Sequence, residues 1–215
     1  MNKNLTEVIF IIDESGSMHG LEKDTIGGFN STIKKQKKLD GKCLISTIFF
    51  NLRSRVIHDR TDIQKIKMMK DGEYNPNGST ALIDAIGDAI KHTKMVHHNI
   101  RKEDIPAKTM FIITTDGMEN SSRKYTLNEV KDMIEKQKEK GWEFIFLAAN
   151  IDAAKTAKGY GFDIDSCVDY VNDTIGTAIK YECMSEAISS IRKTKSLDKN
   201  WKQKSDEDFK SRANK

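Results

Sequence analysis

The residues of this chain best able to do chemistry are oxygen donors gathered in three short segments. Asp13-Glu14-Ser15-Gly16-Ser17 sets a carboxylate and two hydroxyls at alternate positions, a D-x-S-x-S spacing, with Gly16 allowing the backbone to turn sharply. Gly78-Ser79-Thr80 adds hydroxyls, and Thr114-Thr115-Asp116-Gly117 adds a second carboxylate. Alternate side chains of a tight loop can converge on one point. A donor set without nitrogen or sulfur suits a hard divalent cation, Mg²⁺ first, with Mn²⁺ or Ca²⁺ as alternatives. Octahedral Mg²⁺ takes six oxygens at about 2.0–2.1 Å. Ser15, Ser17 and Thr80 could give three, with Asp13 and Asp116 binding directly or holding coordinated waters. If both aspartates act through water, the neutral hydroxyls leave the ion electrophilic. An open position on it then attracts an anion, most simply a carboxylate of another protein. No general base stands beside these residues apart from His19.

Such loops matter only if the elements before them deliver them to one place. Buried-type apolar runs predict strands at Glu7–Ile12, Lys42–Phe50, Arg55–Asp59, Thr109–Thr114, Trp142–Ala148 and Cys167–Val171. Helical spacing appears in Leu82, Ile86, Ala89 and Thr93, and in a C-terminal stripe of Ile175, Ile179, Cys183, Ala187 and Ile191. Leu127–Lys140 reads as a surface helix after a Thr126 cap, stopped by Gly141. The few residues around Asn51-Leu52-Arg53 are too short for a parallel crossover, so the second and third strands form a hairpin. The expected architecture is a doubly wound, Rossmann-like α/β fold: six strands, mostly parallel, one antiparallel edge strand, helices on both faces. In such a sheet ligands bind beyond the carboxyl ends of the strands, where the strand order reverses. Asp13 and Asp116 follow the first and fourth predicted strands directly.

Composition sets the outer limits. Among 215 residues, 37% are hydrophobic and 32% charged, which supports one domain and a spare segment; 13 Gly and 2 Pro exclude fibrous and proline-rich classes. The apolar run Val8 to Ile12, closed by Asp13 and Glu14, is too short for a membrane span or a secretory core. Cys43, Cys167 and Cys183 are odd in number and scattered, which fits neither a disulfide framework nor structural zinc and points to a reducing, cytoplasmic setting. Of the 36 Lys and Arg, nine lie in Arg192–Lys215 against four acids, leaving 27 basic and 28 acidic residues elsewhere. The surplus therefore sits in the C-terminal segment. It reads as a solvated, partly helical extension, with Trp201 and Phe209 too sparse for a nucleic-acid stacking surface. His92, His97 and His98 crowd one helix end and read as solvated, and His58 sits in an edge strand.

Asp13-x-Ser15-x-Ser17, Thr80 after Gly78-Ser79, and Asp116 in Thr115-Asp116-Gly117 resemble the metal-ion-dependent adhesion site, or MIDAS, of von Willebrand factor type A (vWA) domains. The three motifs occur in the family's order, and the resemblance covers roughly Leu5 to Arg192. It implies a doubly wound sheet and a divalent ion, held by Asp13, Ser15, Ser17, Thr80 and Asp116, that accepts an acidic residue from a partner protein. It also implies a partner-binding rim of Gly16, His19, Ser79, Gly117 and Glu119. Within the family the chain is similar to stand-alone intracellular bacterial or phage members, such as those of tellurite-resistance clusters. Two features depart from the pattern: Gly78-Ser79 replaces a common Gly-Gly pair, and the basic segment has no counterpart in the minimal domain. This divides the chain into a domain over 1–192 and a tail over 193–215.

The expected function is thus a non-enzymatic, Mg²⁺-dependent protein-binding module without membrane or nucleic-acid partners. Two rivals remain. A haloacid-dehalogenase-type phosphatase also places an Asp after strand one, but needs a second acid two positions on, where Ser15 stands. A scaffold would act through the basic tail, in a salt-dependent way. Gly16-Ser17-Met18 makes no G-x-S-x-G elbow, and no P-loop motif occurs. Asp84, one turn beyond Thr80, either orients the loop or favours the positive helix start, and Ser79 is the expected helix cap.

Overall fold

In the first strand, β1 (Asn2–Asp13), Val8, Phe10 and Ile12 belong to one apolar cluster and Ile9 and Ile11 to another, and none is more than 1% exposed. A strand apolar on both faces must be covered on both. The computed structural model, which describes residues 1–149 and 153–212, shows what covers it. After β1 come α1 (Glu22–Lys37), β2 (Lys42–Phe50), β3 (Ser54–Asp62), α2 (Leu82–Asn99), β4 (Pro106–Thr115) and α3 (Leu127–Lys138). Then follow β5 (Glu143–Ala148), α4 (Ala153–Tyr160), β6 (Cys167–Asp169), α5 (Thr174–Thr194) and α6 (Gln203–Arg212). The sheet order is β3-β2-β1-β4-β5-β6, parallel throughout except for β3 at the edge. Helices α1 and α5 cover the Val8 face, and α2, α3 and α4 cover the Ile9 face. The expected doubly wound sheet with one antiparallel edge strand is the fold observed. Among the described residues no helix is long and apolar enough to cross a membrane.

Where structure and sequence reading differ, backbone geometry explains most of it. β1 begins at Asn2 rather than Glu7, because Asn2–Thr6 still pair with β4 and β2, and ladder hydrogen bonds are indifferent to polar side chains. The expected stripe on α5 used steps of four only. A helix turns 400° in four residues, so such a stripe drifts about 40° per step. Ile175 consequently lies 58% exposed at the start of α5, while Cys183, Ala187 and Ile191 of the expected stripe are buried and the buried face widens to take in Thr177, Lys180, Met184 and Ile188.

The segment after Arg192 is partly helical and largely exposed, but it is anchored to the fold. Trp201 is 2% exposed in the core cluster, and its indole donates to the Asp165 carbonyl at 3.2 Å. Three of its cations meet the body of the fold: Lys202 Nζ donates to the carbonyls of Ile164 and Cys167, Lys204 pairs with Glu182, and Arg212 with Asp173. Arg192 itself is buried, its guanidinium donating to the carbonyls of Gln36, Leu39, Asp40 and Gly41 just beyond the end of α1. His97 is not solvated either; its Nε2 sits 2.6 Å from the buried carboxylate of Glu7, which also pairs with Arg60. The three cysteines are buried and unpaired, and burial pushes the Cys43 thiol up to about 11 and that of Cys167 up to about 12.

Candidate metal centre

Strand order reverses between β1 and β4, which are neighbours although a hairpin and two helices separate them in sequence. Their carboxyl ends place Asp13 and Asp116 side by side, the position where doubly wound sheets bind ligands. Asp13 is fully buried: Oδ1 accepts the Ser15 amide at 2.7 Å and Oδ2 accepts the Thr115 hydroxyl at 2.6 Å. Ser15 Oγ lies 3.0 Å from Ser17 Oγ, which donates to Asp116 Oδ1 at 2.5 Å across 99 residues of sequence. The other Asp116 oxygen accepts the Asn172 amide at 2.9 Å. Burial is graded, with Asp13, Ser15, Thr80 and Asp116 inside and Ser17 at the solvent edge.

The third segment is clamped to the first. Gly16 N donates to the Gly78 carbonyl at 3.0 Å, and Asn77 N to the Glu14 carbonyl at 2.9 Å. A Cβ on Gly16 would stand 3.3 Å from that Gly78 oxygen, so Gly16 serves close approach rather than a sharp turn; Gly78 holds the positive φ of 71°. Thr80 is clamped to the loop after β4: its amide donates to Asn120 Oδ1 at 3.0 Å, and its carbonyl accepts the Asn120 amide at 3.1 Å. A Cβ on Gly117 would stand 3.3 Å from both Ser17 Oγ and Thr80 Oγ1. Ser17 and Thr80 thus flank Gly117 closely, Ser15 and Asp116 join them through Ser17, and Asp13 is tied to Ser15 and Thr115 behind them.

This donor set fits a hard divalent ion. The oxygens crowd one another, and burial, helped by the neighbouring Asp116 charge, raises the Asp13 pKa against its hydrogen bonds to Ser15 and Thr115. A cation there offsets that cost. Among the described residues no group of three His, Cys, Asp or Glu is placed to hold a metal, so an ion here would draw on hydroxyl oxygens as well.

The expected rim divides in two. Gly16, His19, Ser79 and Gly117 remain at least partly exposed, with His19 Nδ1 3.3 Å from Glu22. Ser79 makes no cap; α2 is capped by Ala81 without a side-chain bond. Glu119 does that work instead, accepting Ile83 N at 2.8 Å, together with the amides of Ser121 and Ser122 and the Ser122 hydroxyl. Its carboxylate is occupied by a helix end and its own loop. Asp84 answers from α2 by accepting the amides of Arg123, Lys124 and Tyr125, which settles its role as loop anchor. Glu119→Ala is expected to cost about 2 kcal/mol in urea denaturation, because it strands several donors together.

Sequence reasoning missed Asn172 and Lys180. Asn172 directly follows the sixth expected strand, so the strand-end rule could have flagged it. The signal for Lys180 was a lone lysine on the buried side of an apolar helix.

No protein-family model and no curated protein matches the sequence. Solved structures do. The vWF domain of the type V pili tip protein Mfa5 from Porphyromonas gingivalis superposes with a TM-score of 0.64 at 12% identity, covering 92% of this chain and 99% of that one. A von Willebrand factor type A protein from Catenulispora acidiphila gives 0.59 at 20% identity, over 86% of this chain and 42% of that one. Proximal thread matrix protein 1 from the mussel byssus, with a zinc-occupied MIDAS motif, gives 0.58 at 14% identity, over 85% and 45%. The chain therefore spans the pilus-tip domain fully but under half of the other two. Its fold is the von Willebrand factor type A fold.

Proposed function

We propose that this chain is a divalent-metal-dependent protein-binding module. Asp13, Ser15, Ser17, Thr80 and Asp116 hold the ion, and an exposed Asp or Glu of a partner protein completes its coordination. The observation that carries this reading is the meeting of Ser15, Ser17, Thr80 and Asp116 around Gly117, from three distant segments. The ion supplies an electrophilic anchor for a carboxylate. The chain supplies the rest: two buried carboxylates for affinity, hydroxyls that add oxygen donors without further negative charge, and an open side at Ser17. The zinc-occupied motif of the mussel protein lends support to metal use, while the oxygen-only donors here favour Mg²⁺ or Mn²⁺.

The site is read as non-catalytic, since Ser15 stands where a phosphatase of the Asp-nucleophile kind needs its acid. Phosphoester turnover that disappears in Asp13→Asn would overturn that. For the binding reading, calorimetry should detect Mg²⁺ or Mn²⁺ uptake at millimolar concentration, and an aspartate-bearing peptide should bind only with metal present. Peptide binding indifferent to EDTA would sink it.

A further inference from the structure

A lysine lies behind this site, and among the described residues no carboxylate forms an ion pair with it. Lys180 of α5 is 0% exposed, the most deeply buried charged side chain apart from Asp13. Its ammonium has three donors, yet among the described residues its one hydrogen bond goes to Tyr170 Oη at 3.2 Å. The same nitrogen stands 4.3 Å from the centre of the Tyr170 ring and 5.1 Å from that of Tyr181. Tyr170 Oη in turn donates to the Thr115 carbonyl at 3.4 Å, and Thr115 Oγ1 donates to Asp13. Tyr170 and Thr115 thus stand between the ammonium and the Asp13 carboxylate, the first bonded to Lys180 and the second to Asp13. Burial lowers the Lys180 pKa to about 8, and Asp116 and Asp13 are the charges that oppose this loss.

We propose that Lys180 sets the affinity and charge demand of the metal centre, acting as a fixed interior cation behind Asp13 and Asp116. This rests on the reading above that these residues hold a divalent ion, and it concerns what Lys180 does to that binding.

Charge counting gives the consequence. The hydroxyls are neutral, and Glu14 is matched by Arg55 at 2.7 Å. Asp13, Asp116 and Lys180 leave the empty centre at one negative charge, and a divalent ion takes it to one positive charge. One external carboxylate then brings the buried ensemble to neutrality. Without Lys180, the ion alone would neutralise the two aspartates, and a further carboxylate would bury an uncompensated negative charge. Lys180 therefore weakens capture of the bare ion and strengthens capture of the acid. The two ligands become positively coupled, and by linkage each raises affinity for the other equally.

The test is titration of Mn²⁺, followed by the paramagnetic resonance of the free ion, into wild type, Lys180→Met and Lys180→Gln, with and without acetate. Loss of the repelling charge should tighten Mn²⁺ binding by about tenfold or more. Acetate should raise Mn²⁺ affinity in wild type and not in the neutral variants. Equal or weaker Mn²⁺ binding by a folded neutral variant, or the same acetate effect in it, would overturn the role of Lys180. A wild type that takes up no Mn²⁺ would instead overturn the metal reading itself. Should neither variant fold, Tyr170→Phe keeps the charge but removes its hydrogen-bond acceptor, releasing the ammonium toward the carboxylates. Mn²⁺ binding should then weaken, and unchanged affinity would count against the proposal.

Discussion

Asp116→Asn is expected to abolish divalent-cation uptake while leaving the metal-free protein at least as stable as wild type. Both halves follow from where the carboxylate sits. Asp116 is 2% exposed, accepts Ser17 and Asn172, and shares its surroundings with Asp13. Outer partners of metal ligands alone change affinity by about 10–100-fold, so removing a ligating charge should exceed that range. The amide is nearly isosteric. Its carbonyl can keep Asn172, and the Ser17 hydroxyl can rotate to accept from its NH₂. Meanwhile one of two adjacent buried negative charges disappears, and the other retains Lys180 as its countercharge. Wild type at Mg²⁺ a hundred times the dissociation constant should gain about 2.7 kcal/mol. The variant should melt at the same temperature in Mg²⁺ and in EDTA. A Mg²⁺-induced rise in the melting temperature of Asp116→Asn equal to wild type would remove Asp116 from the centre.

That such a variant can be named at all from sequence reflects which physical signals are local. The placing of Asp13, Ser15, Ser17 and Asp116 together is legible because they end or follow within four residues strands whose apolar runs are unmistakable, and strand ends in a doubly wound sheet converge by topology. Thr126 is legible for the same local reason, and its reciprocal bonds with Glu129 form a capping box. Glu119 belongs to the expected rim by its place three residues beyond Asp116. Its real partner, the amide of Ile83, lies 36 residues earlier and has no sequence signature. Lys180 and Arg192 escaped because lysine and arginine are ordinarily surface residues. Their burial depends on Tyr170 in one case and on carbonyls beyond α1 in the other, contacts made only after the chain has closed. The basic surplus misled in the same way: the composition of the last residues is cationic, but Lys204 and Arg212 meet acids contributed by α5 and its cap.

Gly28→Ala is expected to destabilise the fold by about 3 kcal/mol, at the upper end of ordinary overpacking. Helix propensity alone argues the opposite, since Ala in the middle of α1 should gain about 1 kcal/mol over Gly. The clash decides the sign. A Cβ at Gly28 would lie 2.1 Å from Cδ2 and 2.4 Å from Cγ of Tyr181, whose ring is locked between α1 and α5. The two helices resist moving apart, because Gln36 Nε2 ties them to the Ser185 carbonyl at 2.9 Å and to Ser189 Oγ at 2.8 Å. Urea midpoints of Gly28→Ala, Tyr181→Ala and the double variant test this directly. Tyr181→Ala alone should cost about 3–5 kcal/mol through its cavity, and the double variant should lose clearly less than the sum, because the new methyl enters the space the ring has left. Strict additivity, or a stabilised Gly28→Ala, would show that the close approach of α1 to α5 is not as described. The same contact reaches the metal centre, since Tyr181 is the residue after Lys180 and its ring is one of the two flanking the ammonium. A Gly28→Ala protein that still folds should therefore bind Mn²⁺ with altered affinity although no oxygen donor has changed, because displacing Tyr181 moves the charge that opposes the ion.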